Sequence, residues 1–165
     1  MVRASWQDIP RLRQFCEQEL RIKSGEGGRF WLPLVLSARG LLFGEVIARL
    51  PDYDQGYYQP LDLTDNLRQP LYRLGRSLLT WIEASPGVYL VQFDLHWSGK
   101  DWQLQFDQVL PFPDRPAIAS VGVQTPDLFE CHLTCLRGEP LRDLVIAGRD
   151  YLVLEGAGLV MVPWD

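Results

Sequence analysis

Three cysteines and two histidines are among the side chains of this sequence that could act as nucleophiles, general bases or metal ligands. Cys131 and Cys135 are four residues apart on a predicted helix, and the sequence contains no Cys-x-x-Cys pair. This spacing, with an odd cysteine count, favours reduced and partly buried thiols over a metal site. His132 shares a helical side with Leu128, which favours a packed core histidine, and neither it nor His96 belongs to a recognisable catalytic triad.

Two further segments carry residue types that occur in binding sites. Residues 52–58 combine acids with tyrosines, which fits either a binding loop or an ordinary long turn, and both alternatives stay open. The glycine-rich segment 24–28 could cradle a phosphate. A phosphate nest normally opens a helix, however, and this segment leads into a predicted strand, so we interpret it as a linker.

The elements that would position these residues alternate between helices and hairpins. A first helix is predicted over residues 9–22, because Asp8 is a suitable N-cap and Pro10 is tolerated in the first turn. Leucines and Ile82 at helical spacing predict a second helix over residues 67–84. A third is predicted over residues 126–137, with Thr125 as its cap and Pro126 at its first position. The predicted strand pairs are residues 30–37 with 41–50, 88–97 with 102–110, and two short strands within 144–162.

Hairpins imply antiparallel pairing, so we predict the α+β class, with an antiparallel sheet built from hairpins and with helices packed on one face. The length of 165 residues suits one domain over residues 1–165. Within it, residues 1–29 supply a helix and the glycine-rich loop, residues 30–141 the main sheet and its helices, and residues 142–165 a C-terminal hairpin.

Charge and hydropathy narrow the class of protein. The net charge of −5 and the dispersed lysines and arginines argue against nucleic-acid binding and against a membrane-surface helix. No apolar run approaches the roughly 18 residues of a membrane span. Residues 1–10 lack the apolar core of a signal peptide, and we therefore expect a cytoplasmic protein.

An ordered set of motifs resembles a known family. The motifs are GVYLVQFD at residues 87–94, DQVLPFPD at 107–114, FECHL at 129–133 and GEPL at 138–141. Together they resemble the C-terminal lobe of ATP-grasp ligases, and are closest to the purine-pathway carboxylating and formylating members. With the preceding hairpin and helix, the resemblance covers residues 30–141 and implies an ATP-grasp C-terminal-lobe-like fold.

The departures from the family pattern concern its metal ligands. The resemblance implies that the family holds Mg-ATP with two glutamates and an asparagine, at positions where this chain has Gln92, Gln108 and Asp107. Magnesium prefers hard, charged oxygens, and an amide oxygen cannot offset its charge. Asp94 lies two residues after Gln92 on the same strand face. We therefore expect a degenerate Mg-ATP site at these four residues and no dedicated metal site.

The residues at the family's substrate-binding positions also depart from its pattern. By the same resemblance, Phe112, Asp114 and Ser120 fall where the family contacts its substrate, but Phe112 and Asp114 replace an arginine and a histidine that would bind an anion. An acid there would repel a carboxylate or phosphate. The family also holds ATP between two lobes, and only residues 1–29 precede the first hairpin here, which is too short for a second lobe.

These departures favour a non-catalytic ATP-grasp-like domain that acts as a protein-binding or assembly module, with a protein partner or a second copy, and without a cofactor. The alternative is a weakened Mg-nucleotide-binding protein, or part of an ATP-dependent carboxylate–amine ligase that a second chain completes. A third possibility is an unrelated small ligand between the sheet and the helix at residues 67–84.

Overall fold

The computed structural model describes residues 5–51, 56–146, 150–155 and 158–163. A seven-stranded sheet runs in the order β1-β7-β6-β2-β4-β5, and β3 pairs with the second half of β2. All of its pairings are antiparallel except that of β1 with β7. The strands are β1 (Lys23–Ser24), β2 (Phe30–Ser37), β3 (Gly40–Phe43), β4 (Val46–Arg49), β5 (Tyr57–Leu61), β6 (Gly87–Trp97) and β7 (Trp102–Leu110).

Two small sheets complete the strand pairing. Strand β8 (Gln124–Thr125) pairs with β9 (Val145–Ile146), and β10 (Asp150–Glu155) forms a hairpin with β11 (Gly158–Pro163). The first half of the loop that mixes acids and tyrosines, residues 52–55, lies outside the described residues. Among the described residues, no helix is both long and apolar enough to cross a lipid bilayer.

The helices follow the local signals of the sequence, with shorter C-terminal ends than predicted. They are α1 (Ile9–Glu19), α2 (Asp65–Trp81), α3 (Leu128–Leu136) and a 3-10 helix (Arg115–Ser120). Asp8 caps α1 by accepting the Arg11 N–H at 3.2 Å. In α2, Leu71, Leu74 and Leu78 form the buried side of an amphipathic helix.

The start of α3 differs from the prediction. The helix begins at Leu128, so Pro126 does not occupy the first helical position and Thr125 does not cap the helix. Asp127 caps it instead, and accepts the N–H groups of Phe129 and Glu130 at 2.9 and 3.0 Å. The Glu130 carboxylate accepts the Asp127 N–H in return, which completes a capping box.

Apolar side chains cover both faces of the sheet. On one face, Leu32 and Leu34 of β2 pack with buried residues of α1 and α2. On the other, Trp31 and Val35 of the same strand pack with α3 and the 3-10 helix. The α+β class and the mainly antiparallel sheet are confirmed, but helices lie on both faces and not on one. The cause is that β2 and β6 are apolar at consecutive positions, so each of their faces has to be covered.

Candidate functional site

Strands β6 and β7 bring the predicted metal-site residues together. Gln92 of β6 lies opposite Gln108 of β7, whereas the next pair in register is Phe93 with Phe106. Asp107 is therefore an extra residue in β7, and such a bulge redirects the side chain that carries it. Asp94 follows Gln92 by two residues on the same strand.

The backbone of Gly28 lies over this cluster. The Gly28 carbonyl accepts a hydrogen bond from Gln92 Nε2 at 2.7 Å, and the Gly28 N–H donates to Asp107 Oδ2 at 2.9 Å. Gln108 Nε2 donates to Gln92 Oε1 at 2.8 Å. Both ends of the Gln92 amide are thus bonded within the chain. Gln92 is only 8% exposed and Asp107 only 7%, so solvent scarcely reaches them.

Glycine is required at position 28 by this close approach. A Cβ atom there would lie 2.7 Å from the backbone oxygen of Phe93 and 3.1 Å from Cγ of Gln92. The segment is held in place upstream, because β1 pairs in parallel with β7 and the Gly25 N–H donates to the Phe106 carbonyl at 2.9 Å. The glycine-rich segment is therefore part of the sheet edge and the cover of this cluster, and the linker interpretation is wrong.

A guanidinium group neutralises the buried carboxylate. Arg13 of α1 donates from Nη2 to Asp107 Oδ1 and from Nε to the Asp107 carbonyl, both at 3.0 Å. The Arg13 side chain is 23% exposed and that of Asp107 is 9% exposed, so water screens the pair only partly. The buried neighbours Leu12 and Cys16 fix α1 against the sheet. A positive charge of the chain itself thus lies at the carboxylate that could attract a metal ion.

Asp94 is paired in the same manner near the surface. Arg29 Nε and Nη2 donate to its two carboxylate oxygens at 3.0 and 2.9 Å, and the Leu95 N–H donates to Oδ1 at 2.7 Å. These hydrogen bonds, with the attraction of the Asp94 charge, raise the pKa of the Arg29 guanidinium. Each of the two carboxylates predicted for the site is therefore matched by one arginine.

This donor set does not fit a magnesium ion. The two amides are neutral and hydrogen-bonded, the Asp107 carboxylate is bonded to Gly28 and Arg13, and Asp94 is held by Arg29. Magnesium needs several free hard oxygens in octahedral geometry. Within the described ranges, no group of three or more His, Cys, Asp or Glu side chains is arranged to hold a metal ion.

The structure separates the three predicted substrate residues. Phe112 and Asp114 line a groove of about 290 Å³ together with Tyr57, Ile118 and Phe129. Phe112 is exposed there, whereas the Asp114 carboxylate also caps the 3-10 helix by accepting the Arg115 N–H at 2.7 Å. The groove is therefore lined mainly by aromatic and apolar side chains, with Asp114 and Arg115 as its charged residues.

Ser120 does not belong to that groove. Its hydroxyl is fully buried, donates to the Ala117 carbonyl at 2.7 Å and accepts the Leu128 N–H at 2.9 Å. Both hydrogen-bonding roles of the hydroxyl are used inside the chain, where they join the 3-10 helix to the first residue of α3. The position of Ser120 is thus structural.

The histidine and cysteine side chains have structural environments. His132 Nδ1 accepts the Val88 N–H at 3.0 Å, and burial lowers the pKa of the imidazole. All three cysteines are free and buried. Burial raises the pKa of Cys16 and of Cys131 to about 12, and that of Cys135 in the same direction. Protonated, buried thiols are weak nucleophiles.

Three residues that shape this cluster, Arg13, Gly28 and Arg29, were absent from the sequence-based site. Arg13 and Asp107 are separated by 94 positions, so no local pattern links them. The Gly27–Gly28 pair before a buried strand was the one available signal, because glycine beside a strand often marks a close backbone approach.

Comparisons with known proteins support the fold. No protein-family model matches the chain, and no curated protein matches its sequence. Among solved structures, the glycinamide-RNase-transformylase T of Mycobacterium tuberculosis superposes with a TM-score of 0.69 at 16% identity, covering 96% of this chain and 63% of that one. The N5-carboxyaminoimidazole synthetase of Staphylococcus aureus, complexed with ADP, gives 0.64 at 12% identity, covering 79% and 34%. The corresponding synthetase of Thermotoga maritima gives 0.62 at 12% identity, covering 79% and 34%.

These structures are ATP-grasp enzymes, and the predicted ATP-grasp C-terminal-lobe-like fold is confirmed. This chain spans 63% of the first of these relatives and about a third of the synthetases. At identities of 12 to 16%, the likeness establishes the fold alone.

Proposed function

We propose that this chain, which has the fold of an ATP-grasp C-terminal lobe, is a non-catalytic domain that acts as a protein-binding or assembly module. The observation that carries this proposal is the position of Gly28, whose backbone is hydrogen-bonded to Gln92 and Asp107. These are the positions at which the family motifs imply magnesium ligands. A metal ion would have to displace this backbone before it reached either side chain.

Charge supports the same conclusion. Gln92 and Gln108 carry no charge, and the carboxylates of Asp107 and Asp94 are each paired with an arginine. Arg13 also contacts the exposed Glu26 at 3.4 Å, but both carboxylates of the cluster itself are already paired and are not free to hold a divalent cation bridged to a triphosphate. Since phosphoryl transfer depends mainly on electrostatic stabilisation, loss of this charge removes the principal means of catalysis.

The binding role rests on exposed apolar side chains. Leu133 and Leu136 of α3 are 53% and 62% exposed, and Phe112 and Phe129 are also accessible. Grouped exposed apolar residues are typical of protein interaction sites. The groove at Phe112 is lined by one acid, Asp114, and one base, Arg115, so its charge does not favour an anionic substrate.

Calorimetric titration of the purified chain with Mg-ATP tests the closed site. We expect no heat of binding at millimolar nucleotide. A measurable heat that depends on magnesium and is lost in Asp107→Ala, with folding of the variant verified by thermal melting, would contradict the proposal. It would favour the alternative of a weakened Mg-nucleotide-binding protein.

A double variant tests whether Mg-ATP binding is prevented by the missing negative charges or by the Gly28 backbone. Gln92→Glu with Gln108→Glu returns both negative charges, but a carboxylate at position 92 cannot donate to the Gly28 carbonyl, which now lies 2.7 Å from Nε2. We expect a less stable protein that still gives no Mg-ATP heat. Gln103→Glu, at an exposed glutamine of β7, is the control and should leave stability unchanged. Mg-ATP binding by the double variant would mean that the glycine segment does not close the site.

A further inference from the structure

The outer side of α3 carries an apolar stripe, formed by Phe129, Leu133 and Leu136. All three are exposed, Leu133 and Leu136 by more than half of their surface. Their spacing of four and three residues places them on one side of the helix. The opposite side, with Leu128, Cys131 and Cys135, is buried against the sheet. At its first residue the stripe is continuous with the groove of Phe112, since Phe129 lines both.

Charged residues flank the stripe asymmetrically along the helix. Glu130 lies near the N-terminal end and Arg137 directly follows the C-terminal end, and both are exposed. Seven residues separate them, which is close to two helical turns, so they lie on the same flank of the stripe. The acid is at the positive end of the helix dipole and the base is at the negative end.

From this arrangement we infer that α3 is a self-association surface, on which a second copy of this chain docks with its own α3 antiparallel to the first. A two-fold axis beside Leu133 and Thr134 brings like flanks together and places Glu130 of one copy opposite Arg137 of the other. The two helix dipoles are then also antiparallel. The contact is isologous and closes on itself, as in most homodimers.

The area of the stripe sets the expected strength of association. A nine-residue helix is about 13 Å long, and a stable interface buries roughly 800 Å² on each partner. The stripe alone is smaller, so the Phe112 groove beside it has to contribute. We expect a reversible dimer with a dissociation constant in the micromolar range, roughly 1 to 100 µM.

Sedimentation velocity of the full chain, from low to several hundred micromolar, measures this association. The wild-type chain should shift from monomer to dimer. Leu133→Glu should weaken dimerisation at least about tenfold, because it places a charge at the symmetry axis. Trp102→Glu is a matched control, since Trp102 is 52% exposed but lies at the tip of the β6–β7 hairpin. It should dimerise like the wild type, and thermal melting verifies that both variants fold.

Engineered cysteines test the antiparallel geometry. Leu133→Cys lies beside the proposed axis and should form an intermolecular disulfide under mild oxidation. Leu136→Cys should not, because its axial distance to its own copy would be about 7 Å in addition to the helix separation. The unsubstituted chain, whose own thiols are buried, supplies the background.

Three results would overturn the inference: a monomer at every concentration, a dimer that Leu133→Glu leaves intact, or equal cross-linking at positions 133 and 136. The inference rests on the proposed binding role, but the two fail separately. Mg-ATP heat from an intact dimer would refute the closed site and leave the interface. Absence of heat from a strict monomer would refute the interface and leave the closed site.

Discussion

Removal of Arg13 tests whether its guanidinium replaces an external cation at Asp107. Arg13→Met keeps the apolar stem of the side chain and removes the donors that now lie 3.0 Å from the Asp107 carboxylate and carbonyl. The variant leaves a nearly buried negative charge with the Gly28 N–H as its other hydrogen-bond donor. We expect Arg13→Met to lower the free energy of unfolding.

The magnitude follows from burial. Removal of one partner of a fully buried ion pair costs about 3–5 kcal/mol. Because 23% of the Arg13 side chain is exposed, water can reach the vacated space, and we expect about 2–3 kcal/mol. For a chain of this length, that loss lowers Tm by roughly 5–10 °C.

A double-mutant cycle in urea separates the ion pair from other effects of the substitution. Asp107→Asn removes the charge, and Arg13→Met with Asp107→Asn removes both partners. We expect the loss of unfolding free energy in the double variant to be smaller than the sum of the two single losses by about 1–2 kcal/mol. Arg29→Met is the control, because the Arg29–Asp94 pair has similar distances, but its arginine side chain is 58% exposed. Its loss should cost less than about 1 kcal/mol.

Two outcomes would refute this reasoning. Additivity of the single effects within about 0.5 kcal/mol would show that Arg13 and Asp107 do not act as a pair. Equal destabilisation by Arg13→Met and Arg29→Met would show that burial does not determine the strength of the interaction.

Further predictions concern the glycine segment, the histidine and the thiols. Gly28→Ala should lower the free energy of unfolding in urea by about 2–3 kcal/mol, because its Cβ would press on the backbone of Phe93. Gly25→Ala meets only the movable end of a glutamine side chain and should lower it by less than about 1 kcal/mol. Equal losses would contradict the close approach at Gly28. Since burial lowers the pKa of His132, the folded chain binds a proton less readily than the unfolded chain. Its contribution to stability is therefore complete above pH 6.5, the ordinary value for histidine, and declines as pH falls below it. Stability measured against pH should decline less in His132→Gln over this range, and identical curves would refute the lowered pKa of His132. The three cysteines should react with iodoacetamide about a hundredfold more slowly in the folded chain than in urea, and a fast native reaction would refute their burial.

Local signals predicted much of the fold. The Asp8 cap, the leucine stripe of α2 and the β6–β7 hairpin all depend on residues near one another in sequence. The packing of all helices on one face of the sheet was predicted wrongly. The consecutive apolar residues of β2 leave both faces buried, and the sequence does not state which helix covers which face.

The environment of the candidate site depends on long-range contacts. Gly28 and Asp107 are separated by 79 positions, and Gly28 and Gln92 by 64. The β-bulge that directs Asp107 toward Gly28 and Arg13 is a register shift between strands, and the hydrophobic periodicity of the sequence does not predict it. From sequence, the replacement of glutamates by amides was therefore visible, whereas the backbone and the arginines that cover these positions were not.

The two short strands at the borders of the sheet affect how copies of this chain can meet. On one border β1 is only two residues long, and on the other β5 contains Pro60, which has no N–H to offer. Among the described residues, neither outermost strand is a long, regular row of backbone groups of the kind that lets sheets from separate molecules join edge to edge. Protection of this kind disfavours fibre growth at high concentration. It also favours association through surfaces built from side chains, where a limited complex of defined size can form.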